Sequence, residues 1–232
     1  MTPDSPPLSF SRGFRDSSPV ILGYFSASIA FGLLARNTGL NVVESLAFSF
    51  IVYTGAAQFM ALNLIAAGVS GPQILIANFL LNLRYLFMSA AVARKVQTGR
   101  YFQRPLLAFG VTDETFALTV SQKGNVPPRY QAAVELFPWL AWNLGTLCGW
   151  FFGEILPESL SAAMVSSLYG LFIALLLPDL KKGWPWIITA AAAALINTAL
   201  ETFSGLGTGW NIVIAMLSGT IIGMALIPRE EK

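Results

Sequence analysis

The chain has 232 residues, 55% of them hydrophobic and only 11% charged, with a formal net charge of +2; this is the composition of a polytopic membrane protein, with no basic surface for nucleic acid. The absence of any histidine excludes His-ligated zinc or haem and Ser-His-Asp or Cys-His nucleophiles, and a single cysteine, Cys148, excludes an internal disulfide. No metal and no cofactor is expected.

The opening MTPDSPPLSFSRGFRDSSP is rich in Pro and Ser and lacks an apolar core, so it reads as neither a cleaved signal peptide nor a lipidation site. Residues 1–12 are expected to form a disordered tail, 13–228 one transmembrane domain and 229–232 a second tail. A helix rises about 1.5 Å per residue, so about 20 apolar residues cross a hydrocarbon core about 30 Å thick. Eight segments approach that length: 18–35, 44–68, 73–93, 105–121, 131–156, 160–180, 184–204 and 208–227. Helices are expected throughout, because an open sheet leaves its edge unsatisfied in lipid.

Lys and Arg in short loops set orientation. The loop RKVQTGRYFQR carries Arg94, Lys95, Arg100 and Arg104 without an acid, which predicts that 94–104 is cytoplasmic. Simple alternation of eight spans then puts Arg12, Arg15, Lys181 and Lys182 outside and Glu154 and Glu158 inside, backwards for all three groups. The expectation adopted is that segments two and four are tilted or broken spans. The alternative is that both re-enter on one side, which gathers the basic segments on the cytoplasmic face and sends the acidic loop out.

An internal repeat is also suggested. GFRDSS at 13–18 is similar to GVTDET at 110–115, and long segments interrupted at Gly55 and Gly145 follow each at similar distances. Three segments per unit would invert the second copy, a common transporter design; chance similarity between apolar chains is the other reading.

The polar residues inside these segments carry the chemistry. Arg84 lies ten residues before Arg94 and eleven after Gln73, too deep to snorkel, and a charge there costs at least about 2.5 kcal/mol, so it needs a partner or a wet cavity. Asn78, Asn82 and Tyr85 form one stripe, which Arg84 leaves by about 200° from Asn82 unless the helix is distorted. Asp113 and Glu114 stand together in an apolar segment. Two adjacent carboxylates in a low dielectric cannot both hold charge cheaply, which suits proton coupling; an Arg84–Asp113 ion pair that merely joins two helices is the plainer reading. Asp16 is expected as a helix N-cap. Thr54 and Gln58 share a face around Gly55, whose weakened helix offers backbone N–H groups to a carboxylate or simply permits close packing. Gly145, Gly149 and Gly153 form a ridge for helix packing, and Asn197 and Glu201 suit a helix contact.

With GFRDSSPVILGY, YTGAAQF, NFLLNLRYLFMSA, GVTDETFAL and WNLGTLCGWFFG in this order, the chain resembles the AzlC family, the larger subunit of bacterial branched-chain amino-acid exporters, from about Gly13 to about Pro228. The resemblance implies a secondary exporter in the bacterial cytoplasmic membrane that moves leucine, isoleucine and valine, with methionine as a further candidate, outward against protons, together with a small hydrophobic AzlD-type subunit. For such a substrate, Arg84 and the backbone near Gly55 suit the carboxylate, Asp113 or Glu114 the ammonium and the proton, and Gln58, Asn78 and Asn82 orientation. The rival readings are a channel or a non-transporting membrane scaffold; motifs of a membrane enzyme are absent.

Overall fold

The computed structural model describes residues 7–96, 98, 102–155, 157, 159, 173, 176–177, 180–181, 183–205 and 208–226. Most of the sixth expected segment, with Glu158 and Lys182, lies outside them. Among the described residues the fold is helical, with one isolated bridge between Val96 and Val126.

Helix α1 spans Phe10–Asn37 and so begins inside the stretch expected as a tail. Its N-cap is Ser9, whose hydroxyl accepts from the Arg12 amide at 3.2 Å. Asp16, expected in that role, instead lies within the helix, pairs with Arg12 at 3.5 Å and accepts from the Tyr130 hydroxyl at 2.8 Å. Helix α8, Pro128–Phe152, starts on two prolines, as a fixed φ and a missing N–H allow. The two helices pack parallel along their whole length. Gly13 abuts Tyr130, Gly32 abuts Thr146 and Trp150, and the ridge of Gly145, Gly149 and Gly153 meets Phe25 with Ser28, then Ile29, then Leu33. The ridge thus serves packing within the chain. The face on which α1 and α8 begin is called proximal, the other distal.

The second segment does not cross. Asn41 caps α2 (Val42–Ala47) in a reciprocal box with Glu44, and α2 runs into one π-helical turn at Phe48–Val52. The chain then reverses, with Tyr53 at φ +41° and Gly55 at φ +49°, before α3 (Ala56–Ala66). Phe48 and Phe59 both lie against the Phe31 ring, at 6.0 and 5.7 Å between centroids; in a continuous helix they would sit about 16 Å apart along the axis. Ile65, near the end of α3, lines one cleft with Thr38, Leu40 and Glu44. Both arms therefore open on the distal face, and each is about 16 Å long, half a bilayer.

Helices α4 (Gly71–Asn82) and α5 (Arg84–Lys95) return the chain across the membrane with a break at Leu83. They end proximally, because the Val126 amide, two residues before α8, donates to the Lys95 carbonyl at 2.9 Å. Helix α6 (Gln103–Phe109), a turn at 110–112 and α7 (Asp113–Val120) form a second hairpin. Lys95 Nζ donates to the carbonyls of Val120 and Gln122, so α7 also ends proximally. Two further helices, α9 (Trp184–Phe203) and α10 (Thr208–Leu226), pack on each other, Gly219 against Ala193, and α10 leans on α4.

Segments two and four are thus re-entrant rather than tilted or broken spans. Re-entry brings Arg12, Arg15, the chain just after α5 and the 121–127 loop to one face, which removes the conflict of charge with alternation for these basic residues. The two hairpins enter from opposite faces, as inverted repeats would, but the similar motifs do not mark that relation. Gly13 packs near the start of an unbroken helix, whereas Gly110 sits at a hairpin tip; Gly55 has positive φ, whereas Gly145 lies within a continuous helix.

This topology has a direct test. In a Cys148→Ala background, Val43→Cys and Ser70→Cys, both at exposed positions, are expected to react with an impermeant thiol reagent from the same side, and Lys123→Cys from the other. Labelling of 43 and 70 from opposite sides would restore a spanning second segment.

Candidate functional site

The tips of the two hairpins meet beside Tyr24, midway along α1. Thr112 and Thr115 cap one another at the start of α7, the Thr112 amide donating to Thr115 Oγ1 at 2.8 Å. This cap places Asp113 and Glu114 in the first turn, where the helix dipole favours negative charge. Glu114 is 2% exposed. The Tyr24 hydroxyl donates to its carboxylate and lies 2.8 Å from Thr112 Oγ1.

Asp113 meets Arg84 Nη2 at 3.0 Å, with both side chains partly accessible at 25% and 20%. Arg84 is the first residue of α5, directly after the break at Leu83. Its guanidinium also lies 5.4 Å from the Tyr85 ring centroid, a cation–π arrangement. Arg84 Nε and Asn82 Oδ1 are buried without a hydrogen-bond partner.

At the first tip, the Gly55 amide donates to Gln58 Oε1 at 3.2 Å, Gln58 Nε2 donates to Ser49 Oγ at 3.4 Å, and Ser49 shares a hydrogen bond of 2.7 Å with Thr146. Gln58 is therefore engaged in holding the reversal. A Cβ at Gly55 would stand 3.5 Å from the Trp142 ring, against which the tip rests. Tyr24 packs edge-on to Trp142 and to Tyr53, at 5.2 and 6.0 Å, and Tyr53 stacks on Phe109 of the second hairpin at 6.3 Å. Tyr53 and Trp142 are 3% and 1% exposed, yet Tyr53 Oη, Thr54 Oγ1 and Trp142 Nε1 have no hydrogen-bond partner.

On the proximal side of this crossing lies Glu135 of α8, buried and receiving a hydrogen bond from Gln131 Nε2 at 2.6 Å; Gln131 Oε1 accepts in turn from Thr119 at 2.7 Å. A Cβ at Gly110 would fall 2.7 Å from a Glu135 carboxyl oxygen, so the tip glycine makes the room this side chain occupies.

Of the residues singled out in the sequence, Arg84 and Asp113 come together, Glu114 joins them through the shared α7 turn, and Gly55 and Gln58 form the opposing tip. Asn78 turns back on its own helix, donating to the Ile74 carbonyl at 2.9 Å. Asn197 Oδ1 is buried without a partner in α9, and Glu201 is exposed one turn later. Tyr24, Tyr53, Trp142 and Glu135 were not anticipated. Glu135 obeys the rule that picked out Arg84, an ionisable group inside an apolar segment; the aromatics gave no signal against a background of apolar neighbours.

The model of the AzlC protein family matches residues 19–156, from within α1, through both hairpins, to the end of α8. The chain belongs to the AzlC family. Similar relatives include an uncharacterized membrane protein of Archaeoglobus fulgidus, 32% identical with 92% of this chain and 93% of that protein covered. The inner membrane protein YgaZ of Escherichia coli K12 is 30% identical, covering 96% and 91%. An uncharacterized membrane protein of Helicobacter pylori is 26% identical, covering 90% and 92%. No solved structure matches. The stretch shared with the AzlC model contains every residue of the hairpin crossing, while α9 and α10 lie beyond it.

Proposed function

We propose that this chain is the large subunit of a two-component secondary exporter that moves branched-chain amino acids out of the cell in exchange for protons. The observation that carries the reading is the set of orphaned polar atoms, Tyr53 Oη, Thr54 Oγ1 and Trp142 Nε1, buried where two re-entrant tips meet beside Glu114 and the Arg84–Asp113 pair. A buried polar group without a partner costs about 1–3 kcal/mol, and a bound ligand recovers that cost. A zwitterion with a small apolar tail fits the surroundings: donors and a guanidinium for its carboxylate, carboxylates for its ammonium, and aromatic faces for its tail. Irregular backbone at mid-depth is tolerated where it lines a site, and helix termini facing such a site are a recurring transporter device. A proton and the ammonium competing for one carboxyl couples the two fluxes. Family membership supports the substrate class and the small AzlD-type subunit, and the gathering of Arg and Lys on the proximal face supports a cytoplasmic assignment for it and for the 94–104 loop.

The test is transport by the chain co-purified with its small hydrophobic subunit in proteoliposomes. An imposed pH gradient is expected to drive labelled leucine uphill. Asp113→Asn is expected to abolish this while leaving exchange of leucine for leucine that ignores pH; unchanged pH dependence moves the proton to Glu114. Leucine leaking down its gradient without countertransport indicates a channel, and no flux with correctly folded protein indicates a scaffold.

A further inference from the structure

The crossing contains one carboxyl that the scheme above does not use. Glu135 is 5% exposed, its described hydrogen bond is the one from Gln131, and no ion pair reaches it among the described residues. The fold makes room for it at the expense of sequence freedom, since only a glycine fits at 110. A carboxyl kept in such a place without a cation is a costly way to pack two helices, and Gln131 with Thr119 holds it in one orientation.

Its position along the membrane is informative. Glu135 lies seven residues into α8, about 10 Å below the proximal end, whereas Tyr24 and Glu114 lie near mid-depth. Tyr53 bridges the two levels: its ring stands against Tyr24, which holds Glu114, and against Phe109, the neighbour of the Gly110 that abuts Glu135. The Tyr53 hydroxyl itself is buried and unpartnered, so it is hydrogen-bonded to neither carboxyl. The other ionisable groups around Glu135 are accounted for. From the second hairpin Asp113 is held by Arg84, and from α1 Tyr24 is held by Glu114 while Asp16 and Arg12 pair nearer the surface. Tyr85 of α5 lies under the Arg84 guanidinium.

We propose that Glu135 is a second proton-carrying carboxyl, placed between the crossing and the proximal face, which takes protons from that face and hands them on to the carboxyls at the crossing. This rests on the antiport reading above. In the transfer the Glu135 O–H bond breaks and one ionised carboxylate at the crossing gains the proton. Glu135 is left ionised and the receiving carboxyl neutral. The site left empty at Glu135 refills from the proximal solution, so the substrate at the crossing never has to meet that solution for the proton to arrive.

The experiment uses the two-subunit complex in liposomes and reads two quantities. Infrared difference spectra over a pH titration are expected to show a carboxyl stretch that titrates in the native protein and is missing in Glu135→Gln. In the same variant, accumulation of leucine driven by a pH gradient is expected to fall about a hundredfold, the scale of losing a positioned proton carrier, while leucine-for-leucine exchange persists. Glu135→Asp should restore part of the accumulation. Persistence of the leucine-for-leucine exchange guards against misfolding of the glutamine variant. The proposal is overturned if the spectra of native and Glu135→Gln protein titrate identically, or if Glu135→Gln accumulates leucine as the native protein does. Should the native complex itself fail to accumulate leucine, the antiport reading falls, and the infrared titration still decides whether Glu135 exchanges a proton.

Discussion

Arg84→Ala is expected to deplete folded protein in the membrane and to abolish export in what remains. The variant leaves Asp113 at mid-depth with its cation gone; breaking a buried pair costs about 3–5 kcal/mol, and the partial accessibility of this pair places the loss near the lower figure, about 3 kcal/mol. Combining Arg84→Ala with Asp113→Asn removes both charges and should recover the amount and thermal midpoint of detergent-solubilised protein without recovering transport. Arg84→Lys should fold but fail to export, because lysine keeps the charge and loses the planar fork that grips two carboxylates at once. Fluorescence-detected size exclusion gives the first quantity and liposome flux the second. Stable insertion and full activity of Arg84→Ala would remove the guanidinium from the site.

Gly149→Leu is expected to be as damaging for a different reason. A Cβ at this position would come within 2.7 Å of the Ile29 carbonyl carbon, and backbone cannot step aside as a flexible side chain can. The parallel pair of α1 and α8 carries both hairpins, so separating the helices loosens the whole crossing. Overpacking typically costs about 1–3 kcal/mol and more where the backbone itself must move. The control is Gly71→Ala at the start of α4, where an added Cβ meets nothing within 4 Å. The first variant should lose its cooperative thermal transition and the second should melt with the native protein. Equal melting would mean that α1 and α8 do not pack through the glycine ridge.

The charged part of the site was legible in the sequence because lipid makes charge expensive. Arg84, Asp113 and Glu114 stood out against their neighbours, and the same rule applied to every segment would have reached Glu135. Re-entry was legible only indirectly, from basic residues falling on the wrong side. The reversal itself hides in YTG, since Tyr53 adopts a left-handed conformation that tyrosine rarely takes and no composition rule flags. Asp16 misled because it looked like a cap, whereas Ser9, seven residues earlier, already accepts from the Arg12 amide at the start of α1. Tyr24, Tyr53 and Trp142 were illegible for a simpler reason. An aromatic in an apolar run reads equally as core, lipid contact or binding wall, and only the place of its polar tip in three dimensions, on Glu114 for Tyr24 and unpartnered for Tyr53 and Trp142, separates the cases.

The first hairpin also constrains how the protein is made. Its reversal leans on residues far downstream: Gly55 on the Trp142 ring, Ser49 on Thr146, and the Phe50 carbonyl on Trp139 Nε1 at 3.3 Å. When the ribosome has delivered residues 42–66, that half of its support is missing, and arms about 16 Å long cannot insert as spans of their own. The hairpin must therefore wait, against α1 or at the lipid surface, for some eighty residues of further translation. Nascent chains arrested before Trp139 should leave these arms open to protease, and chains arrested after α8 has emerged should protect them.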